Sequence, residues 1–211
     1  MLLMYRMFVT NGDMVSVLPI MQEIVSIVRE VTGVPIHAWS GSNGYVAGTA
    51  AISIAYNSLA ERSEAMAKLG SSKSLWAANQ QLRKFTLNSD ADVIYQYVRG
   101  GSLGPNIPLG TIVAEVQLQL AQGDDWLSTF KWANEFATLC KETTGVETSV
   151  MHSIFGVLGA LRMLTGFNDA NAVDKHRLAL DGNPEYLAKF YEGTKYAVTG
   201  SVTQRHLVKI A

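Results

Sequence analysis

The four histidines are the first candidates for chemistry in this sequence, because the charge of an imidazole changes near neutral pH. They are His37, His152, His176 and His206. No H-x-x-x-H or H-E-x-x-H pairing occurs among them, although zinc sites on helices commonly use such spacings. The sequence therefore predicts no metal site, and a metal site shared by two histidines is disfavoured.

His37 is the strongest catalytic candidate. On a predicted strand it shares one face with Trp39, and the next strand is expected to place Thr49 or a neighbour opposite, with Tyr45 bordering the same surface. An imidazole, an indole and a hydroxyl around one cavity could bind an aromatic ligand or move a proton. We therefore predict that His37 is catalytic and that Trp39, Tyr45 and Thr49 bind a ligand. The alternative is a hydrogen-bonded interior cluster or an exposed hairpin end.

Arg162 is the second candidate, because it interrupts an apolar strand and a buried charge must be paired or hydrated. Glu115 lies on the strand expected to neighbour it, and a simple hairpin would place His152 and Thr148 on the same face as Arg162. We predict that Glu115, His152 and Arg162 bind a ligand through an anion or a carbonyl group. The alternatives are an internal ion pair that joins two halves of a barrel, or a bulge that turns Arg162 outward.

Two further features favour structural roles. Cys140 is the single cysteine, so no intrachain disulfide can form, and it lies on the apolar stripe of a predicted helix, where an inert buried thiol is expected. The segment 100–104 is rich in glycine but lacks the Lys-Ser/Thr ending of a phosphate-binding loop. We predict that this segment is part of a linker.

An internal repeat indicates how these residues are positioned. Thr32-Gly33-Val34 recurs as Thr144-Gly145-Val146, and the same ungapped alignment matches four more pairs: Gly44 with Gly156, Ala67 with Ala179, Gly70 with Gly182, and Leu75 with Leu187. Gly12-Asp13 matches Gly123-Asp124 with one residue of slip. In this alignment no histidine is repeated, and the counterpart of Arg162 is Ala50.

Each half of the repeat has the same predicted order of elements. In the first half the pattern predicts a strand at 4–10, a helix at 14–31 that ends at Gly33, strands at 34–41 and 45–56, a helix that begins at Ser58 and restarts after Gly70, and a strand at 92–98. In the second half it predicts a strand at 111–120, a helix over 126–140, two strands within 146–167, a helix that opens at Asn171 and restarts at Pro184, and a strand at 204–210. Pro19 is expected in or near the first turn of its helix.

This order is β-α-β-β-α-β, the ferredoxin-like unit, in which two helices cover one face of a sheet. The other face needs a second layer, and two units in one chain can supply it to each other. The predicted fold is therefore α+β, with tandem ferredoxin-like repeats at 1–99 and 110–211 joined by a linker at 100–109.

Composition excludes several classes of protein. The 211 residues include 17 basic and 18 acidic side chains, so the chain lacks the basic excess typical of nucleic-acid binding. The longest apolar run, 45–56, is shorter than a membrane span, and Arg6 interrupts the apolar start of the chain. We expect no nucleic-acid or membrane partner and a cytoplasmic location. Exposed edge strands could join copies of the chain into a homo-oligomer.

Residues 58–62 and 67–70, with Ala179-Leu180-Asp181-Gly182-Asn183-Pro184-Glu185-Tyr186, resemble the second helical region of the dimeric α/β-barrel superfamily. The similarity is to its NIPSNAP-like and antibiotic-biosynthesis-monooxygenase-like branches. The resemblance covers the whole chain in topology, and it implies an eight-stranded barrel within one chain and a pocket between sheet and helices in each unit. No catalytic motif of the superfamily is recognisable in this sequence, so the resemblance implies no catalytic residue.

The superfamily includes cofactor-free oxygenases, haem-binding enzymes and isomerases, so the resemblance implies a barrel that binds a small apolar or aromatic molecule. The expected activity is then that of a monooxygenase or an isomerase that needs no cofactor. One alternative is a non-enzymatic structural or interaction protein. Another, less favoured, is haem binding through His176 or another single histidine.

Overall fold

A computed structural model describes residues 1–101, 104, 106–121 and 126–211. The strands are β1 (Leu2–Thr10), β2 (Ile36–Gly41), β3 (Thr49–Tyr56), β4 (Thr86–Ser89), β5 (Val93–Arg99), β6 (Ile112–Gln119), β7 (Thr148–Phe155), β8 (Ala160–Phe167) and β9 (Thr203–Lys209). The helices are α1 (Met14–Thr32), α2 (Leu59–Gly70), α3 (Lys73–Arg83), α4 (Trp126–Thr144), α5 (Ala170–Asp181) and α6 (Pro184–Gly193). None of these helices is both long and apolar enough to cross a membrane.

Eight strands close into one antiparallel barrel. Their order is β1-β3-β2-β9-β6-β8-β7-β5, and β5 returns to β1. The two halves of the chain meet edge to edge, where β2 pairs with β9 and β5 pairs with β7. Closure gives each of the eight strands two neighbours, and the prediction of tandem ferredoxin-like repeats in one barrel is confirmed.

Several helices begin at polar capping residues or end at glycines, as the sequence predicted. Gly33 and Gly145 end α1 and α4 with φ of +72° and +76°, a conformation that glycine adopts without steric cost. The side chain of Ser58 accepts a hydrogen bond from the backbone of Glu61 at the start of α2. The side chain of Asn183 caps α6, whose first residue is Pro184.

Several boundaries differ from the predictions, although Pro19 lies near the first turn of α1, as expected, at the sixth residue of the helix. The helix α5 begins one residue before Asn171 and is capped by Asp169. The strand β3 begins at Thr49, because residues 42–48 form the connection from β2.

The short strand β4 was not predicted. It pairs with Phe8–Thr10 of β1 outside the barrel, and in the described part of the chain it has a neighbour on one side only. Association of copies through a strand edge stays a prediction, and β4 offers such an edge. The division into 1–99, 100–109 and 110–211 also stays a prediction, since Ser102, Leu103 and Pro105 of the linker lie outside the described residues. The matched pair Gly123-Asp124 lies outside them as well.

Strand alternation gives the barrel an interior face and a helix-covered face. Aromatic and aliphatic side chains of both halves, such as Tyr5, Trp39 and Met151, pack together in the interior. Outside, α1, α2 and α3 cover the sheet of the first half, and α4, α5 and α6 cover that of the second. The two covered faces are where the halves differ most.

Strand pairing corrects the alignment of the repeat. Tyr56 pairs with Leu2 at the end of β3, and Phe167 pairs with Ile112 at the end of β8, so these two pairs are structurally equivalent. Counted from them, Arg162 corresponds to Ala51 and not to Ala50. The hairpin of β7 and β8 is one residue shorter between equivalent positions than that of β2 and β3, since Thr148 pairs with Thr165 where Ile36 pairs with Ile54. Residues on β8 are therefore shifted by one position relative to the ungapped alignment.

Candidate functional site

A cavity of about 590 Å³ lies between the second-half sheet and its helices. Side chains from β6, β7, β8 and β9 form its floor, and α4, α5 and α6 form its walls. The hairpin loop after β2, which belongs to the first half, reaches its rim with Ser42 and Asn43. This is the position that the resemblance implied for a pocket.

The cavity exists because one row of side chains across the sheet consists of small or polar residues. In the first half the corresponding row, read across β2, β3, β1 and β5, consists of four buried apolar residues: Ile36, Ile54, Met4 and Ile94. In the second half the row across β7, β8, β6 and β9 is Thr148, Thr165, Ala114 and His206. All four of these line the cavity. Aliphatic side chains fill the first half where the second half leaves space.

The floor offers hydroxyl groups that are already paired with each other. Thr148 Oγ1 and Thr165 Oγ1 lie 2.9 Å apart, and both residues are buried. A hydroxyl can donate one hydrogen bond and accept others, so this pair satisfies itself and can still receive a hydrogen bond from a ligand.

Aromatic rings form the helical wall. Phe136 of α4 contacts Tyr186 and Phe190 of α6, with ring centroids 5.3 and 6.3 Å apart. Burial raises the pKa of Tyr186 to about 12, so its phenol is neutral at physiological pH. Cys140 also lines this wall; burial raises the pKa of its thiol to about 12, as expected for an inert group. The lining is thus mostly apolar and aromatic.

His176 is the first of two imidazoles at the cavity. It lies on the face of α5 that packs towards the sheet, at the position that Ala65 occupies on α2 when the capping residues Ser58 and Asp169 are aligned. Its ring meets the ring of Phe167 edge-on at 4.9 Å. Its Nδ1 is buried and makes no hydrogen bond within the described residues. Burial lowers the pKa of His176, which favours the neutral ring that can accept a proton.

His206 is the second imidazole, and its hydrogen position follows from a neighbour. The side-chain amide of Asn43 lies 3.2 Å from His206 Nδ1, and an amide NH₂ can only donate, so Nδ1 accepts. Burial, and then the charge of Arg177, lowers the pKa of His206 and keeps the ring neutral. The hydrogen of the neutral ring is therefore on Nε2, which can donate to a ligand oxygen. Asn43 comes from the other half of the chain, so each half helps to build this site.

The four residues predicted around His37 lie in or beside the barrel interior, on the opposite face of the sheet from the cavity. His37 is 2% exposed, its Nε2 is 3.0 Å from the carbonyl oxygen of Gly104, and its ring centroid is 6.0 Å from that of Trp39. Trp39 Nε1 donates to Ser53 Oγ at 2.8 Å. Thr49 donates to the carbonyl of Val46, and the residue opposite Trp39 is Ala51. The cluster is packed and hydrogen-bonded, and a catalytic role of His37 stays a prediction.

Arg162 and Glu115 form an ion pair at the centre of the barrel, where each side chain is 1% exposed. Arg162 therefore points inward, and the expectation of an outward bulge is wrong. Tyr45 donates its hydroxyl hydrogen to Glu115 Oε2 at 3.0 Å. The guanidinium lies over the rings of Tyr5, 3.9 Å from its centroid, and Tyr95, at 5.3 Å. The ion pair belongs to the second half, and three tyrosines of the first half surround it.

His152 does not share the face of Arg162, which pairs across the strands with Met151. The expectation of a shared face is wrong, because the one-residue difference in the hairpin reverses the parity. His152 points towards α4, with ring centroids 5.1 Å from Phe130 and 6.1 Å from Trp126. Thr148 also faces the helices. Ligand binding by Trp39, Tyr45, Thr49, Glu115, His152 and Arg162 stays a prediction.

His37 makes the protein sensitive to acid. Burial, followed by the charges of Lys209 and Arg29, lowers its pKa from 6.5 to about 4. The unfolded chain therefore binds a proton at His37 before the folded chain does. We expect this group to remove up to about 3 kcal/mol of stability as the pH falls from 6.5 to 4. Urea unfolding at several pH values should show a flatter pH dependence in His37→Gln, and an unchanged slope would contradict the assignment.

Among the described residues, no group of three or more His, Cys, Asp or Glu side chains is placed to hold a metal ion. No known family model matches the sequence, and no curated protein matches it. Similarity is found at the level of three-dimensional structure.

A "putative monooxygenase" of Fusobacterium nucleatum subsp. nucleatum superposes with a TM-score of 0.72 at 12% identity, covering 100% of this chain and 92% of the other. A "putative monooxygenase" from Lactobacillus acidophilus gives 0.65 at 8% identity, covering 100% and 94%. An "anthrone oxidase-like protein" gives 0.60 at 12% identity, covering 98% and 91%. At these identities the similarity establishes the fold. The chain has the fold of a dimeric α/β barrel, with both units of the barrel in one polypeptide.

Proposed function

We propose that this protein binds a small apolar or aromatic molecule in the second-half cavity. The observation that carries the proposal is the row of Ala114, Thr148, Thr165 and His206, which opens a space that the first half fills with aliphatic side chains. Aromatic walls and a few convergent polar groups are typical of small-molecule sites. The two imidazoles would contact the polar end of the ligand.

The reaction that this site supports best is cofactor-independent oxygenation of an activated aromatic compound. The names of three structures with this fold point to oxygenase chemistry, one of them to anthrone. His176 would take a proton from the substrate, and His206 Nε2–H would donate to the oxygen on which negative charge develops. The substrate itself then reduces O₂. In the balanced reaction, a CH₂ between two rings becomes C=O, one oxygen atom enters the product and the other leaves as water.

Isomerisation is the second candidate reaction, because the same two imidazoles could move a proton between two carbon atoms without O₂. The two reactions differ in their use of O₂ and in the oxidation state of the product. A protein that binds aromatic molecules without converting them would show neither O₂ uptake nor an isomerised product.

The test is oxygen uptake by the purified protein with anthrone as the substrate. We expect uptake with one O₂ consumed per product formed, and a fall of about 100-fold or more in His176→Ala, because a positioned general base contributes about that much. His37→Gln should be measured beside it. Activity lost in His37→Gln and retained in His176→Ala would overturn the assignment of the base and move the site to the barrel interior.

Two alternatives are separated by simple measurements. Addition of haem followed by a Soret band, lost in His176→Ala, would favour the haem-binding alternative. A protein with a purely structural role would show no ligand-dependent rise in thermal stability, whereas a ligand at 100 times its Kd stabilises by about 2.7 kcal/mol. A cytoplasmic location is part of the proposal, and its basis is the single cysteine.

A further inference from the structure

The first half contains a smaller pocket of about 320 Å³ at the place that corresponds to the rim of the large cavity. Six residues line it: Leu59, Arg62 and Ser63 of α2, Asp92 and Ile94 at the start of β5, and Phe155 at the end of β7. Alignment of the helix caps and strand pairs gives their second-half counterparts as Ala170, Val173, Asp174, Gln204, His206 and Asn43. All six counterparts line the large cavity. The pocket is therefore the same site in its first-half copy.

The floor and rim of this copy differ from the second half in opposite ways. Its floor is closed by Met4, Ile36 and Ile54, which fill the space that is open in the second half. Its rim gains a cationic side chain, because Arg62 stands where the second half has Val173. The first-half pocket is therefore too shallow for the ligand of the large cavity but carries a cation that the large cavity lacks at this position.

Arg62 is a hydrogen-bond donor without an acceptor. Its Nε is buried and makes no hydrogen bond within the described residues. The nearest carboxylate of the lining, Asp92, is already held by Arg6 through two hydrogen bonds of 2.6 and 2.9 Å. A buried guanidinium nitrogen without a partner is unfavourable, so this geometry favours an acceptor from outside the chain.

A second unsatisfied donor lies near the first. The hydroxyl of Tyr56, a residue only 1% exposed, makes no hydrogen bond in the part of the chain that the structure describes. Tyr56 is the last residue of β3, three residues before Leu59 of the lining. Burial raises the pKa of Tyr56 to about 12; the charge of Arg62 opposes that rise, and the charges of Asp92 and Glu61 add to it. Two donors thus lack an acceptor in the same region.

We propose that the first-half pocket is a second binding site, specific for a small monocarboxylate. The planar guanidinium of Arg62 matches the geometry of a carboxylate, and Tyr56 supplies a further hydrogen bond. Leu59, Ile94 and Phe155 provide apolar contacts for the hydrocarbon part of the ligand. Arg6 and Asp92 neutralise each other, and within the described residues Arg62 forms no ion pair, so its guanidinium can balance one negative charge of a ligand. This site is independent of the function proposed for the second half.

Benzoate is the probe for this site, titrated into the full-length protein while the methyl signals of Ile94 are followed by NMR. We expect a saturable shift of these signals. Arg62→Met keeps the length of the side-chain stem and removes the donors, so it should weaken benzoate binding at least about 10-fold. Arg62→Lys should bind with intermediate affinity, since it keeps the charge and loses the planar fork. Arg83→Met, at the exposed end of α3, changes the net charge equally and should leave binding unchanged.

Further measurements decide between this proposal and its rivals. Tyr56→Phe should weaken benzoate several-fold without affecting 1-naphthol, the probe for the second-half cavity. Benzamide has the shape of benzoate without the charge, and it should bind far more weakly. Equal binding of benzoate by the wild type and Arg62→Met, equal binding of benzamide, or shifts that do not saturate would overturn the proposal. Thermal unfolding of each variant shows whether it is folded, and Arg62→Lys gives the answer if Arg62→Met is not.

Discussion

Replacement of Arg162 by methionine is expected to lower the free energy of unfolding by about 3–5 kcal/mol. Arg162 and Glu115 are both 1% exposed, so loss of the guanidinium leaves a carboxylate without its cation in the centre of the barrel. The contact between the guanidinium and the ring of Tyr5 is lost as well. Urea unfolding at neutral pH measures the change.

The matched control is the double variant Arg162→Met, Glu115→Gln. An amide at position 115 carries no charge and can still accept the hydrogen bond of Tyr45. Because both charges are absent, we expect the double variant to lose less than about half of what the single variant loses. A single variant that loses less than about 1 kcal/mol would show that the ion pair contributes little to the stability of the barrel interior.

Filling the second-half cavity with the side chains of the first half is expected to abolish ligand binding. In the triple variant Ala114→Met, Thr148→Ile, Thr165→Ile, three residues take the identities of their counterparts Met4, Ile36 and Ile54. We expect affinity for 1-naphthol to fall at least about 100-fold, equal to about 2.7 kcal/mol. Stability should be retained or rise, because the added carbon atoms are buried and the first half shows that the set packs together.

Ala114→Ser is the control for this variant, because it changes the chemistry of the floor with little change in volume, and it should keep most of the affinity. Fluorescence titration of 1-naphthol measures both. If the triple variant is folded and binds 1-naphthol as the wild type does, the ligand does not occupy the space between the sheet and α4, α5 and α6.

Much of the fold could be predicted because its signals are local. Gly33 and Gly145 end helices through their backbone conformation, and Ser58 and Asn183 begin helices through their side chains. These effects depend on a few neighbouring residues, so the sequence displays them directly. The short strand β4 could not be predicted in this way, since its four residues are mostly exposed and are held by pairing with β1.

The faces of the strands were harder to predict, because one residue in a hairpin reverses them. The ungapped alignment matched Arg162 with Ala50, and a simple hairpin register grouped it with His152. The pairing of β7 with β8 instead sets Arg162 opposite Met151 and turns His152 towards α4. Glu115 was correctly placed beside Arg162, since adjacent strands within one unit follow from the topology alone.

The resemblance implied a pocket at the place of the cavity, but the residues that open it were missed for the same reason. Their signal is present in the sequence as the replacement of Met4, Ile36, Ile54 and Ile94 by Ala114, Thr148, Thr165 and His206. The separation within a pair is 110 residues for Met4, 111 for Ile54 and 112 for Ile36 and Ile94, so no single alignment offset brings all four pairs together. Only the pairing of strands aligns the two rows. His176 was noted as a haem ligand candidate, but its place on the cavity wall depends on the cap of α5.

The central claim is that the two halves differ on the sheet face covered by helices. In the first half this face is filled by aliphatic side chains, and in the second half it is proposed to hold a ligand. The most direct measurement is the stoichiometry of 1-naphthol binding by equilibrium dialysis, with the wild type and the triple cavity-filling variant side by side. We expect one molecule bound per chain in the wild type and none in the variant. Two molecules per chain, one molecule per chain in the folded variant, or no saturable binding to the wild type would contradict the account.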